Sequence, residues 1–175
     1  LDNPQRKLIK LSATQNALAR LDIENISGLS FPVDIVSPQD IDKVLGPEAI
    51  HQGVMLETRP LPLRRLEALK ESPLLLVLDQ ITDPHNVGAI FRTAAAFGAV
   101  AVVTQDRHSP PESGALAKAA SGGLEIMPWV RVVNLARALE EIAEAGYWRI
   151  GLTGHAEVTL DQALTPGRNA LVLGA

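Results

Sequence analysis

An α/β protein built on a parallel sheet is predicted by three features of the sequence. Short uninterrupted apolar runs (LLLVLD, VAVVT, ALVLG) recur along it, helical segments separate them, and the pattern changes near residue 72, setting a smaller α/β unit before a larger one. Uninterrupted apolar strands suit a sheet covered on both faces, because neither side of such a strand meets water.

Taken in order, Leu8, Ile9 and Leu11 open a strand, ATQNALARL follows at helical spacing, and PVDIVS is a second short strand. SPQDIDKVLG carries Ser37 and Pro38 as helix-start signals and Gly46 as a stop. GVMLET adds one more strand, so residues 1–58 are expected to form a small domain. The proline-rich, basic stretch RPLPLRRLEALKESP places a linker at 59–72, where Leu63, Leu66 and Leu69 can form one face of a short helix. From 73 to 175 strands and helices alternate: LLLVLD, NVGAIFRTAAAF, VAVVT, ESGALAKAA, IMPWVRV, NLARALEEIAEAG, YWRIGLT and ALVLG. The helix from Asn134 is well signed, with Asn134 as cap, Leu135, Leu139 and Ile142 on one stripe and Gly146 as terminator.

Composition narrows the chemistry. The chain has 175 residues, 46% hydrophobic and 21% charged, which fits an ordinary globular protein rather than a disordered or fibrous one. No apolar stretch approaches the roughly 20 residues of a membrane span, and LDNPQRKLIK lacks the apolar core of a secretory signal, so a cytoplasmic protein is expected. Absence of cysteine excludes disulfides, thiolate metal sites and a cysteine nucleophile, and the four histidines show no paired metal-ligand spacing. A net charge of −4 speaks against indiscriminate nucleic-acid binding while leaving room for a local basic face.

In parallel α/β sheets ligands collect at the carboxyl ends of strands, and QITDPHN, after LLLVLD, sits at such an end. At about 100° per residue from Val87, the residues Ile90, Phe91, Ala94 and Phe97 share an apolar stripe, and Arg92 points about 140° away. Long helical side chains lean toward the N-terminus, so Arg92, roughly 9 Å of rise beyond Asn86, can reach back toward the loop. Asn86, Arg92 and the helix N-terminus can then converge on one anionic group. Taken singly, Asn86 reads equally as a helix cap, Gly88 as a packing residue and Arg92 as a solvated charge. A dinucleotide or triphosphate site is disfavoured, because neither G-x-G-x-x-G nor G-x-x-x-x-G-K-[ST] follows the strand.

The whole block, strand then DPHNVGAIFRTAAAFGA then strand, resembles the first motif of SpoU-type (TrmH-like) RNA 2′-O-ribose methyltransferases of the SPOUT superfamily. KAASGGLEIMPWVRVVNLARALEEI is similar to that family's middle region, LTGHAE to a loop beside its substrate or cofactor, and ALVLGA to the opening of its second motif. HQGVM resembles the end of its small N-terminal RNA-binding domain, of L30e-like α/β fold. The family continues with an acidic residue and glycine, then a third motif with serine and asparagine. The 73–175 domain is therefore expected to lack its C-terminal part, with its trefoil knot incomplete, and the start at Leu1 also points to a fragment.

The resemblance implies S-adenosylmethionine-dependent methyl transfer to a ribose 2′-hydroxyl of structured RNA, with ribosomal RNA favoured over transfer RNA, in a homodimer without metal or membrane. Arg92 would be catalytic, as base or as phosphate anchor and electrostatic stabiliser, and a guanidinium with pKa above about 12 rarely gives up its proton. Asn86 would shape the loop and orient Arg92 or the ribose. Gly174, with Leu173, Thr153 and Gly154, would contact the cofactor, the glycine allowing close backbone approach. His85 and His155 read as packing or hydrogen-bonding residues, and Ser121, Gly122 and Gly123 as a border of the RNA site or as a helix-ending turn. Arg6, Lys7, Lys10, Arg64 and Arg65 are candidates for phosphate contact. The alternative is a non-catalytic RNA-binding protein that keeps the fold.

Overall fold

The computed structural model describes residues 3–21, 26–68 and 72–174. The chain divides into two compact units, Leu1–Leu61 and Pro62–Ala175.

In the first unit β1 (Leu8–Ala13) lies between β2 (Val33–Ile35), which runs parallel to it, and β3 (Val54–Thr58), which runs antiparallel. Thr14 caps α1 (Gln15–Arg20) by accepting the Ala17 N–H at 3.2 Å. Ser37 and Asp40 form a reciprocal capping box at α2 (Pro38–Leu45). Hydrogen bonds from Lys43, then from Ser37, hold the Asp40 carboxyl down at about 2. Leu11, Ala13, Ala17 and Leu18 make the small core. At HQGVM, His51 Nδ1 accepts the Gly53 N–H at 3.0 Å, which leaves the ring proton on Nε2, 3.1 Å from Asp42.

The second unit carries β4 (Leu74–Asp79), β5 (Val102–Gln105), β6 (Trp129–Val132), β7 (Tyr147–Leu152) and β8 (Arg168–Gly174), all parallel, in the order β6-β5-β4-β8-β7. Helices α3 (Pro84–Ala96), α4 (Gly114–Ala120), α5 (Gly123–Ile126), α6 (Leu135–Glu144) and α7 (Leu160–Ala163) connect them. Alternate residues of the apolar strands enter different cores, as period-two geometry requires. Leu76 and Leu78 pack with Val87, Phe91 and Leu116 on one face, and Leu75 and Val77 with Leu135 and Ile142 on the other. Phe91 meets Trp129 edge to face at 5.1 Å, and the buried Trp129 indole N–H donates to Thr104 Oγ1 at 2.9 Å. No helix among the described residues is long and apolar enough to cross a membrane.

Two local readings change. Inside the expected linker, the Arg64 N–H donates to the Trp129 carbonyl at 3.0 Å and Leu66 packs on the second core. Leu63 is exposed, so the expected apolar helix face does not form, and Leu69 lies outside the described residues. Phe97 is 75% exposed rather than part of the packed stripe, because α3 ends at Ala96 and Phe97 is its C-cap.

Candidate active site at the strand-order reversal

From β4 the chain adds β5 and β6 on one side and places β8 and β7 on the other, so the order reverses between β4 and β8. In open α/β sheets the crevice outside the carboxyl ends of the strands at such a reversal is where ligands bind. Asp79 pairs with Gly174 at that end, and the chain leaves β4 through Gln80, whose φ of 57° turns it sharply.

The loop then enters α3 by a route that frees Asn86. Asp83 is the N-cap, accepting the His85 N–H at 3.0 Å, and Pro84 occupies the first turn, where its missing N–H costs nothing. Asn86 is therefore not a cap. Its side chain is exposed, makes no hydrogen bond to any described residue, and lines a cavity of about 860 Å3. Ala89, Ile90 and Thr93 of α3 continue that wall, Leu171, Leu173 and Gly174 of β8 face it, and Leu160 and Leu164 border it. The walls are chiefly apolar with few polar groups, the character of a small-molecule site.

Arg92 emerges elsewhere. Six residues beyond Asn86, it sits about 120° round the helix, and it does not line the cavity. It is exposed and makes no hydrogen bond or ion pair to any described residue. Its backbone lies against Gly123 at the start of α5, where a methyl group on that glycine would come within 2.9 Å of Arg92 Cα. The structure thus puts the two candidate catalytic residues on separate flanks of the first turns of α3.

Of the four residues expected at the cofactor, Leu173 and Gly174 line the cavity. Thr153 and Gly154 follow Leu152, which pairs with Leu173, so register brings them to the same sheet edge, but they do not line it. They form a turn in which Thr153 Oγ1 accepts the His155 N–H at 3.3 Å. Ser121 and Gly122 make a left-handed elbow between α4 and α5, with φ of 46° and 87°. Among the candidates for phosphate contact, Lys10 is paired with Asp34 at 2.6 Å and Arg6 donates to the Arg59 carbonyl at 3.0 Å. No group of three or more potential metal-ligating side chains occurs among the described residues.

Leu160 and Leu164 border the cavity without a signal in the sequence, since α7 is a single turn with no periodicity to betray it. Asn169 was also missed. It lines the cavity, but its amide is used internally, donating to the Thr165 and Gly167 carbonyls at 2.9 and 3.1 Å and accepting the Thr165 N–H at 3.0 Å. It therefore shapes the turn into β8, and a polar residue at the head of an apolar strand was the signal available for it.

The fold and crevice define a parallel α/β domain with an apolar cavity at its strand-order reversal. A sequence profile of the SpoU rRNA methylase family matches residues 73–175, and the chain belongs to that family. Relatives include the 23S rRNA (guanosine-2′-O-)-methyltransferase RlmB of Pasteurella multocida, 37% identical over the whole chain and 75% of the relative. The protein of the same name from Pseudomonas aeruginosa is 40% identical, covering 87% of this chain and 63% of the relative. That from Pseudomonas syringae is 42% identical, covering 73% and 54%. The chain thus spans about half to three quarters of the length of these relatives. Among solved structures, the SpoU methyltransferase AviRb from Streptomyces viridochromogenes, in complex with AdoMet, superposes with a TM-score of 0.74 at 19% identity over 97% of this chain and 66% of that one. An AdoMet-bound rRNA methyltransferase from Sinorhizobium meliloti gives 0.70 at 18% identity, over 95% and 63%. At such identities the likeness is one of fold.

Proposed function

We propose that the protein transfers a methyl group from S-adenosylmethionine to the 2′-hydroxyl of a guanosine in 23S ribosomal RNA. The observation that carries this is the placement of DPHNVGAIFR at the strand-order reversal, in a chain 37–42% identical to enzymes named for that reaction. A homodimer acting in the cytoplasm belongs to the same reading.

The residues suit such a cofactor. A methyl group on Gly174 would find only the Asp79 carbonyl, at 3.9 Å, so a ligand can approach the backbone at the end of β8. The cavity beside it has the volume of a typical small-molecule site. Bound S-adenosylmethionine supplies the methyl on a sulfonium. Leu173 and the other apolar walls exclude water from the transfer, an in-line displacement that consumes charge and depends on alignment. Asn86, at the cavity edge and with no side-chain hydrogen bond to any described residue, orients the ribose. Arg92, exposed and with no hydrogen bond or ion pair to any described residue, holds the RNA phosphate and stabilises the ribose oxygen as the methyl leaves sulfur for it and the hydroxyl proton passes to that phosphate.

The test is to map 2′-O-methylated positions in ribosomal RNA from cells with and without the gene, then to repeat the methylation with the intact purified protein and S-adenosylmethionine. One 23S guanosine should lose its mark and regain it in vitro. RNA binding without methylation would replace this reading with the non-catalytic one.

A further inference from the structure

We propose that Gly123 is a positioning residue for Arg92, its bare backbone setting where the guanidinium leaves α3. The proposal rests on the reading of Arg92 as the RNA-facing side chain of the site.

The contact is backbone on backbone. A methyl group on Gly123 would lie 2.9 Å from Arg92 Cα, 2.9 Å from the Phe91 carbonyl oxygen and 3.0 Å from Arg92 N. None of these atoms can swing aside by a rotamer change, so any side chain at 123 must move α3 or the α4–α5 elbow. Helix α3 is held from within: Phe91 is fully buried against Trp129. One turn earlier, a methyl group on Gly88 would fall 2.5 Å from the Leu116 carbonyl oxygen and 2.7 Å from Ala119 Cβ. The elbow is the softer partner, since Ser121 and Gly122 already occupy left-handed conformations there. Arg92 has no hydrogen bond or ion pair of its own to any described residue, so the packing at its Cα sets where the side chain leaves the helix. A displacement of about 1 Å at a reacting group costs up to about a hundredfold in rate. Gly123 is thus poised to govern the reaction without touching substrate.

The experiment compares Gly123→Ala with Ile142→Ala, a core truncation on the opposite face of the sheet, and with Arg92→Ala, all in the intact protein. The readouts are kcat/KM for 23S rRNA and the Kd for S-adenosylmethionine. Gly123→Ala should lower kcat/KM by about 10- to 100-fold while cofactor Kd stays within about twofold, because the cofactor residues lie on the other flank of α3. Ile142→Ala should lower Tm and change neither constant by more than about threefold, which separates positioning from general loss of stability. If Gly123→Ala does not fold, Gly122→Ala decides, since its added methyl meets nothing within 4 Å and disturbs only the elbow's left-handed backbone. The same split in kcat/KM and Kd is expected. Wild-type kcat/KM in the glycine variant, or an equal fall in Ile142→Ala, overturns the proposal. If Arg92→Ala itself methylates normally, the reading of Arg92 fails and the proposal with it; loss in Arg92→Ala beside normal Gly123→Ala refutes the role of Gly123 alone.

Discussion

The two flanks of α3 are filled in opposite ways. Toward α4 and α5, glycines bring backbone against backbone at Gly88 and Gly123, with no room for a methyl group. Toward β8 the same helix faces an apolar cavity of about 860 Å3, and Phe97 at its end is 75% exposed. Arg92 leaves beside the sealed flank and Asn86 from the open one. For Arg92, which has no ion pair to any described residue, rigid packing at its base sets where the side chain leaves the helix, whereas a ligand needs space. The contrast therefore separates the part of the proposed centre that aims from the part that receives.

The comparison breaks most severely at Phe91. Phe91→Ala should cost about 3–5 kcal/mol, read from urea unfolding, because it empties the centre of the sealed flank; a loss under about 1 kcal/mol would mean that flank is looser than its distances imply. Gly88→Ala should cost about 1–3 kcal/mol by overpacking against α4, and an unchanged urea midpoint would show that the two helices part readily. Asp83→Ala removes the cap that frees Asn86 and should cost about 1 kcal/mol; no change would shift the start of α3 back toward Asn86. Phe97→Ser, on the open flank, should move stability by no more than about 0.5 kcal/mol. A loss comparable to that of Phe91→Ala would reveal that something already fills the cavity.

Much of this frame was legible in the sequence. Every strand of the second unit overlaps a segment expected to be a strand, though Arg131 interrupts β6 and Arg149 β7, and the buried faces of β4 alternate as period two demands. Strand order was not legible, because periodicity identifies strands and says nothing of their partners. Helix α3 starts two residues before the expected Asn86, at Pro84, because Asp83 and Pro84 supply a cap and a first-turn proline that the apolar stripe alone does not reveal. Phe97 illustrates the reverse failure, since a helical angle loses meaning once the helix has ended. Gly123 gave no signal distinguishing it from Gly122, because a close approach depends on which helix lies opposite, and only the fold supplies that. Within the site, Asn86, Leu173 and Gly174 came together on one cavity. Thr153 and Gly154 reached the right edge but not the cavity wall, since strand-end position sets the edge and loop conformation sets the wall.

In the proposed centre the flanks of α3 divide the labour, with Arg92 serving RNA and the β8 side serving the cofactor. Calorimetry with S-adenosylmethionine on intact Arg92→Ala, beside its methylation rate on 23S rRNA, tests this most directly. The expected result is a cofactor Kd within about twofold of wild type and a methylation rate lower by at least about 10²-fold, the scale of losing one transition-state contact. Normal methylation, or cofactor binding lost together with activity, would contradict it.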